Sequence, residues 1–105
     1  MDSREMYNVT THFCSLVNWD NDWIHFGTKN EIKFDLLEKL IEEHLKGQEL
    51  LFIHGRTTSG QFKKEEIINK VGPFLGVNDF QLWTVSMDRV IQFKKIGVLN
   101  LGQKK

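Results

Sequence analysis

A chain of 105 residues with 40% hydrophobic, 11% aromatic and 27% charged side chains and a single proline has the size and composition of one globular domain. It is too apolar for a disordered segment, and it holds no run of roughly 18 apolar residues that would span a bilayer. Basic and acidic side chains number 14 each, and this zero balance argues against a free nucleic-acid binder, whose affinity comes from neutralising phosphates.

The balance hides an asymmetry: residues 1–52 hold 5 basic and 10 acidic side chains, residues 53–105 hold 9 and 4, so the halves stand at −5 and +5. One cysteine, Cys14, closes no intrachain disulfide. The start Met1–Glu5 has no basic stretch followed by an apolar one, so the expected compartment is the cytoplasm, with no membrane association.

In chain order, Met6–Phe13 alternates weakly and is read as a first strand. Asp22–Phe26 and Glu31–Phe34 flank the turn-rich Gly27-Thr28-Lys29-Asn30 and predict a hairpin. Asp35 followed by Glu38 forms a capping box, and Leu36, Leu37, Leu40, Ile41 and Leu45 share one face, so a helix is expected over about 36–46 with Gly47 as its stop. Leu50–Ile53 is a short continuous apolar run that suits a central strand buried on both faces. A second helix is expected over about 63–75. Glu65 and Glu66 lie in its first turn, Ile67, Ile68, Val71 and Leu75 point inward, and Gly72-Pro73 bends or ends it. Phe80–Val85 and Arg89–Phe93 predict a second hairpin, and Ile96–Leu101 a last strand with Gly97 at a bulge. Gly102–Lys105 looks frayed. The order β, ββ, α, β, α, ββ(β) predicts a single α+β domain over 1–105, a largely antiparallel sheet with both helices packed on one face.

Chemistry-bearing motifs are sparse. Gly55-Arg56-Thr57-Thr58-Ser59-Gly60 has the outer spacing of a phosphate loop, but Gln61 and Phe62 stand where that loop needs its lysine and its hydroxyl, so a plain strand-to-helix loop is expected. His12 and Cys14 would share a side of a strand, yet no second closely spaced ligand pair accompanies them, and neither a metal nor another cofactor is expected. His54 ends the buried strand beside Arg56 and is the one acid–base candidate, with Ser59 near it.

Trp19-Asp20-Asn21-Asp22-Trp23 brackets two carboxylates between two indoles. Tryptophan supplies large rigid contact area, and carboxylates beside it suit a basic partner. The expected partner-binding set is therefore Trp19, Asp20, Asp22, Trp23 and Glu31, with Glu38, Glu42 and Glu43 extending the acidic surface.

The last third, Phe80-x-Leu82-Trp83, then Asp88-Arg89-Val90-Ile91-Gln92-Phe93, then Ile96-Gly97-Val98, resembles small bacterial proteins that include the immunity proteins of contact-dependent growth inhibition and related polymorphic toxin systems. This resemblance implies a cytoplasmic antitoxin, not an enzyme, whose partner is a cognate protein toxin, often a basic nuclease with its active site occluded. It assigns no role to any residue. Two other classes compete with it. One is a nucleic-acid-binding regulator using Arg56, Lys63, Lys64, Arg89, Lys94 and Lys95; the other is a small enzyme or anion-binding protein centred on His54, Arg56 and Ser59.

Overall fold

Two segments apolar on both faces organise the sheet. Leu50, Leu51, Phe52 and Ile53 are all buried, as are Phe80, Leu82, Trp83 and Thr84, and the two runs lie side by side. A computed structural model describes residues 2–28 and 31–104. Met1, the Lys29-Asn30 half of the first expected turn and Lys105 lie outside the described residues.

Seven strands form one sheet: β1 (Val17–Trp19), β2 (Ile24–His25), β3 (Glu49–Ile53), β4 (Gly60–Lys63), β5 (Phe80–Thr84), β6 (Arg89–Lys94) and β7 (Val98–Lys104). Their order is β1-β7-β6-β5-β3-β4, β2 also pairs with β7, and each of these pairings is antiparallel. The three helices are α1 (Ser3–Phe13), α2 (Phe34–His44) and α3 (Ile67–Val71). The α+β domain with a largely antiparallel sheet is the architecture its element order predicts.

The two expected helices cover one face, where Leu37, Ile41 and Leu45 from α2 and its end, with Ile67, Val71 and Leu75 from α3 and beyond, meet Leu50, Phe52, Leu82 and Ile91. An aromatic run threads this core. Phe52 stands 5.5 Å from Phe80, Phe80 stacks on Phe93 at 4.6 Å, and Phe93 meets Phe26 edge-on at 5.7 Å. Each such pair adds about 0.5–1.5 kcal/mol beyond the area it buries.

Several local expectations give way. Met6–Phe13 is helical rather than extended: Asp2 caps the helix by accepting the Glu5 amide at 2.8 Å, and Met6 and Thr10, four apart, are its buried residues. This α1 lies on the opposite face, over Leu51, Ile53, Trp83 and Val90. Glu31–Phe34 does not pair with β2. Lys33 N–H bonds Phe26 O at 2.8 Å to close the loop, and β2 turns to β7 instead. Helix α2 starts at Phe34 with Lys33 at its cap and no side-chain cap bond, so the Asp35–Glu38 capping box is not used. Gly60 through Lys63 belong to β4, which makes the rest of the Gly55–Gly60 motif a hairpin loop between β3 and β4 rather than a strand-to-helix loop. The second helix is a composite: 3-10 turns at Lys64–Glu66 and Gly72–Phe74 flank α3, which ends just before the Gly-Pro step.

The chain end is not frayed through Lys104. Gly102, Gln103 and Lys104 pair with Trp19, Asn18 and Val17. Gly97 is a turn residue with φ +95 rather than a bulge, and its carbonyl accepts the Phe26 and Gly27 amides at 2.9 and 3.2 Å. Gly102 is required by close approach, since a Cβ there would stand 2.5 Å from Val17 Cγ1 and 2.8 Å from Trp19 Cε3. Gly102→Ala should therefore cost about 1–3 kcal/mol in urea unfolding, and a change below about 0.5 kcal/mol would mean that Trp19 is not packed there.

The β5–β6 turn carries the titration. Asp88 Oδ1 accepts hydroxyl bonds from Thr84 at 2.6 Å and Ser86 at 2.7 Å, and these, Thr84 foremost, hold its carboxyl below the ordinary 3.8. A depressed carboxylate stabilises the fold above its unfolded pKa, and that contribution is lost as pH falls through the folded value. The stability gap between the native chain and Asp88→Asn should be open near neutrality and close as the pH falls below 3.8 and through the folded value, measured by unfolding at a series of pH values. A gap independent of pH would overturn the assignment.

Candidate partner-binding face

The surface of interest is the α1 side of the sheet, beyond the end of the helix. Strand register places its floor: Ile53 is opposite Gln81, Gln81 opposite Gln92, and Gln92 opposite Asn100, so these side chains form a row across β3, β5, β6 and β7. The next row on that face joins Lys94, Val98 and His25.

The segment 20–23 interrupts the outer edge. Residues 17–19 pair with one stretch of β7 and residues 24–25 with another, and the four between leave the ladder. They are tied down rather than loose. Asp20 N–H bonds Leu101 O at 2.9 Å, and the buried Asn100 donates through Nδ2 to Asp20 O at 2.9 Å and Asp22 O at 3.4 Å. Asn100 Oδ1 is buried without a hydrogen-bond partner among the described residues, a cost of about 1–3 kcal/mol that the donor side of the same amide has to offset.

This arrangement divides the two predicted indoles. Trp19 closes β1, half-buried, with its ring over Gly102 and against the cluster of Val17, Trp83 and Val90. Trp23 is 45% exposed, a large surface for an indole. The Asp20 and Asp22 side chains are exposed in the pinned segment, and Glu31 is exposed in the following loop, where its amide bonds Thr28 O. Trp23, Asp20 and Asp22 therefore stand together at the surface, whereas Trp19 serves the core.

Beside Trp23 opens a hollow of about 560 Å³ lined by His25, Asp79, Lys94, Lys95, Ile96 and Val98. Ile96 is 73% exposed. Lys94, Lys95, Ile96 and Val98 come from the β6–β7 turn and its flanks, about seventy residues away in sequence, and Asp79 from just before β5, whereas His25 follows Trp23 on β2. The surroundings of Trp23 are thus of two signs, carboxylates along its own loop and lysines across the hollow.

The competing sites disperse. His54 stacks on Phe52 at 6.1 Å and packs on Phe74 at 5.0 Å, with Nδ1 2.9 Å from Thr58 Oγ1, while the Arg56 guanidinium lies over the Tyr7 ring of α1 on the other side of the sheet. Ser59 stays beside His54, but its hydroxyl is spent on the backbone, donating to Gly55 O and accepting the His54 amide at 3.2 Å, and its amide bonds Ser3 Oγ. His12 and Cys14 sit at the end of α1 and in the following 3-10 turn, where Cys14 Sγ lies 3.5 Å from Gln81 Nε2. Among the described residues no three His, Cys, Asp or Glu side chains gather to hold a metal ion. The six cations named for a nucleic-acid regulator split between opposite ends of the sheet. Arg56, Lys94 and Lys95 lie at one end and Lys63, Lys64 and Arg89 at the other, with Lys64 3.4 Å from Glu42. Among the described residues no helix is long and apolar enough to cross a membrane.

No family model, curated protein or solved structure matches the chain.

If Asn100 holds the loop, Asn100→Ala should cost about 1–3 kcal/mol and speed amide exchange at Asp22 and Trp23. Exchange there at the native rate would show that the loop is held by something else.

Proposed function

We propose that the protein is a protein-binding inhibitor, an immunity-type antitoxin that acts in the cytoplasm by occupying a cognate toxin domain rather than by catalysis. The observation that carries the binding role is Trp23, half-exposed on a loop pinned by Asn100 and flanked by the Asp20 and Asp22 carboxylates. A backbone pinned before contact reduces the ordering entropy lost on binding, and exposed indoles of this kind dominate interface energetics. Carboxylates on the same loop would be drawn to the basic cleft of a nuclease and raise the association rate. The resemblance of residues 80–101 to immunity proteins supports the finer reading of the partner as a toxin domain. His54 and Arg56 turn to different sides of the sheet and the Ser59 hydroxyl is taken up by backbone groups, which favours this reading over a small enzyme, and the split of the cations favours it over a nucleic-acid regulator.

The test is affinity capture of the tagged protein from its native lysate at moderate salt, followed by titration calorimetry and a toxin-inhibition assay with the captured partner. Trp23→Ala should weaken binding by about 2 kcal/mol or more, and Asp20→Ala with Asp22→Ala should slow association most at low salt. A double variant whose affinity stays within a factor of about two of the native value would remove the loop from the interface. Nucleic acid in place of a protein partner would remove the antitoxin reading altogether.

A further inference from the structure

The hollow beside Trp23 does not end at Lys94. A second hollow of about 240 Å³ runs on from Asp79 and Lys94 towards α1, over Gln92 and Gln81 to Thr11 and Cys14. Together they make a trough across the ends of β5, β6 and β7, with α1 as one bank and the 20–23 loop as the other. Its two halves differ in chemistry. At the loop end the walls are apolar, from Trp23, Ile96 and Val98; at the α1 end Gln92 lies on the floor beside Gln81, whose carboxamide is already engaged by Trp83 Nε1 and Cys14 Sγ. An open, elongated trough in which apolar wall gives way to the Gln92 amide matches an extended peptide, which needs pockets for alternate side chains and a polar partner for its backbone.

Charge selects the kind of peptide. Lys94 and Lys95 rim the apolar half, and Asp79 is the acid beside them. That acid is already engaged, since Oδ1 accepts the Lys95 amide at 2.7 Å and Oδ2 lies 3.9 Å from Lys94 Nζ. Among the described residues the ion pairs are Lys64–Glu42 and Lys94–Asp79, so the Lys95 ammonium has no acidic partner.

We infer that this trough seats an extended segment of the protein partner in which an aliphatic or aromatic side chain rests on Trp23, Ile96 and Val98 and a neighbouring carboxylate meets Lys95. The inference rests on the protein-binding reading and adds the chemistry of the segment bound. It makes the interface bipolar: the partner presents positive charge to Asp20 and Asp22 and an acidic, apolar segment to the trough.

The probe is synthetic, so its result is independent of whether any toxin is captured. Isotope-labelled protein is titrated with a capped six-residue peptide alternating leucine and glutamate, and with its leucine–lysine counterpart, while the Trp23 indole and the Gln92 carboxamide are followed by NMR. The glutamate peptide should shift both signals saturably and bind at least about tenfold more tightly at low salt. Lys94→Glu with Lys95→Glu should reverse that preference, and Asp20→Asn with Asp22→Asn should leave it in place. Equal binding of the two peptides, or a preference that survives the lysine reversal, would overturn the inference. A captured partner whose affinity ignores the lysine reversal would sink the trough and spare the inhibitor, whereas selective peptide binding with no captured protein would do the opposite.

Discussion

Strand β7 has to satisfy three partners, and the rest of the molecule is arranged around that requirement. One side of it pairs along its length with β6; the other is shared between β1 and β2, which reach it from two different stretches of chain. Four residues cannot join the ladder, and buried or half-buried backbone groups that leave a ladder need other partners. The Asn100 carboxamide supplies one, taking two carbonyls of the excluded segment from within β7 itself. A backbone conflict is thereby converted into a rigid projecting loop, and that loop carries the functional candidates.

Unequal coverage of the two faces decides what the loop can do. Helices α2 and α3 close one face over a continuous aromatic and aliphatic core, while α1 closes only part of the other, where Met6 meets Leu51, Ile53 and Trp83. The end of α1 reaches Gln81 through Cys14, and past that contact Gln92, Lys94 and Val98 line the open part of this face. Trp23 therefore faces a floor that no helix covers. Two aromatic residues four apart in the chain end in different environments because Gly102 makes room for one ring while the other is left 45% exposed.

Much of this architecture was legible in local pattern. The double-sided apolar run at Leu50–Ile53, the hairpin around Ser86-Met87-Asp88 and the amphipathic stripe of α2 each follow from side-chain periodicity within a dozen residues, and each is present. The failures have particular causes. In α1, Val9, Thr10 and Thr11 imitate a strand, and the buried pair Met6 and Thr10 is too short a stripe to outweigh them. Strand β2 looked like half of a local hairpin because its real partner lies more than seventy residues ahead. Glycine at 102 suggests a loose end until Trp19 is known to lie on it. At the candidate site the indole and carboxylates were visible as a motif, but the lysines and Ile96 across the hollow are brought there only by strand register.

The interrupted edge also governs how the sheet meets other sheets. Exposed outer strands are templates on which foreign chains can add, and proteins blunt them by shortening, charging or bulging the edge. Here the β1–β2 margin is cut into pieces of three and two residues with an acidic bulge between them. The opposite margin, β4, is four residues long and runs from Gly60 to Lys63. Neither offers a length of free backbone on which another copy could stack in register. The loop that presents Trp23 to a partner thus also caps the sheet against growth, so a change that straightened it into the ladder would lose a recognition element and create an aggregation seed in one step.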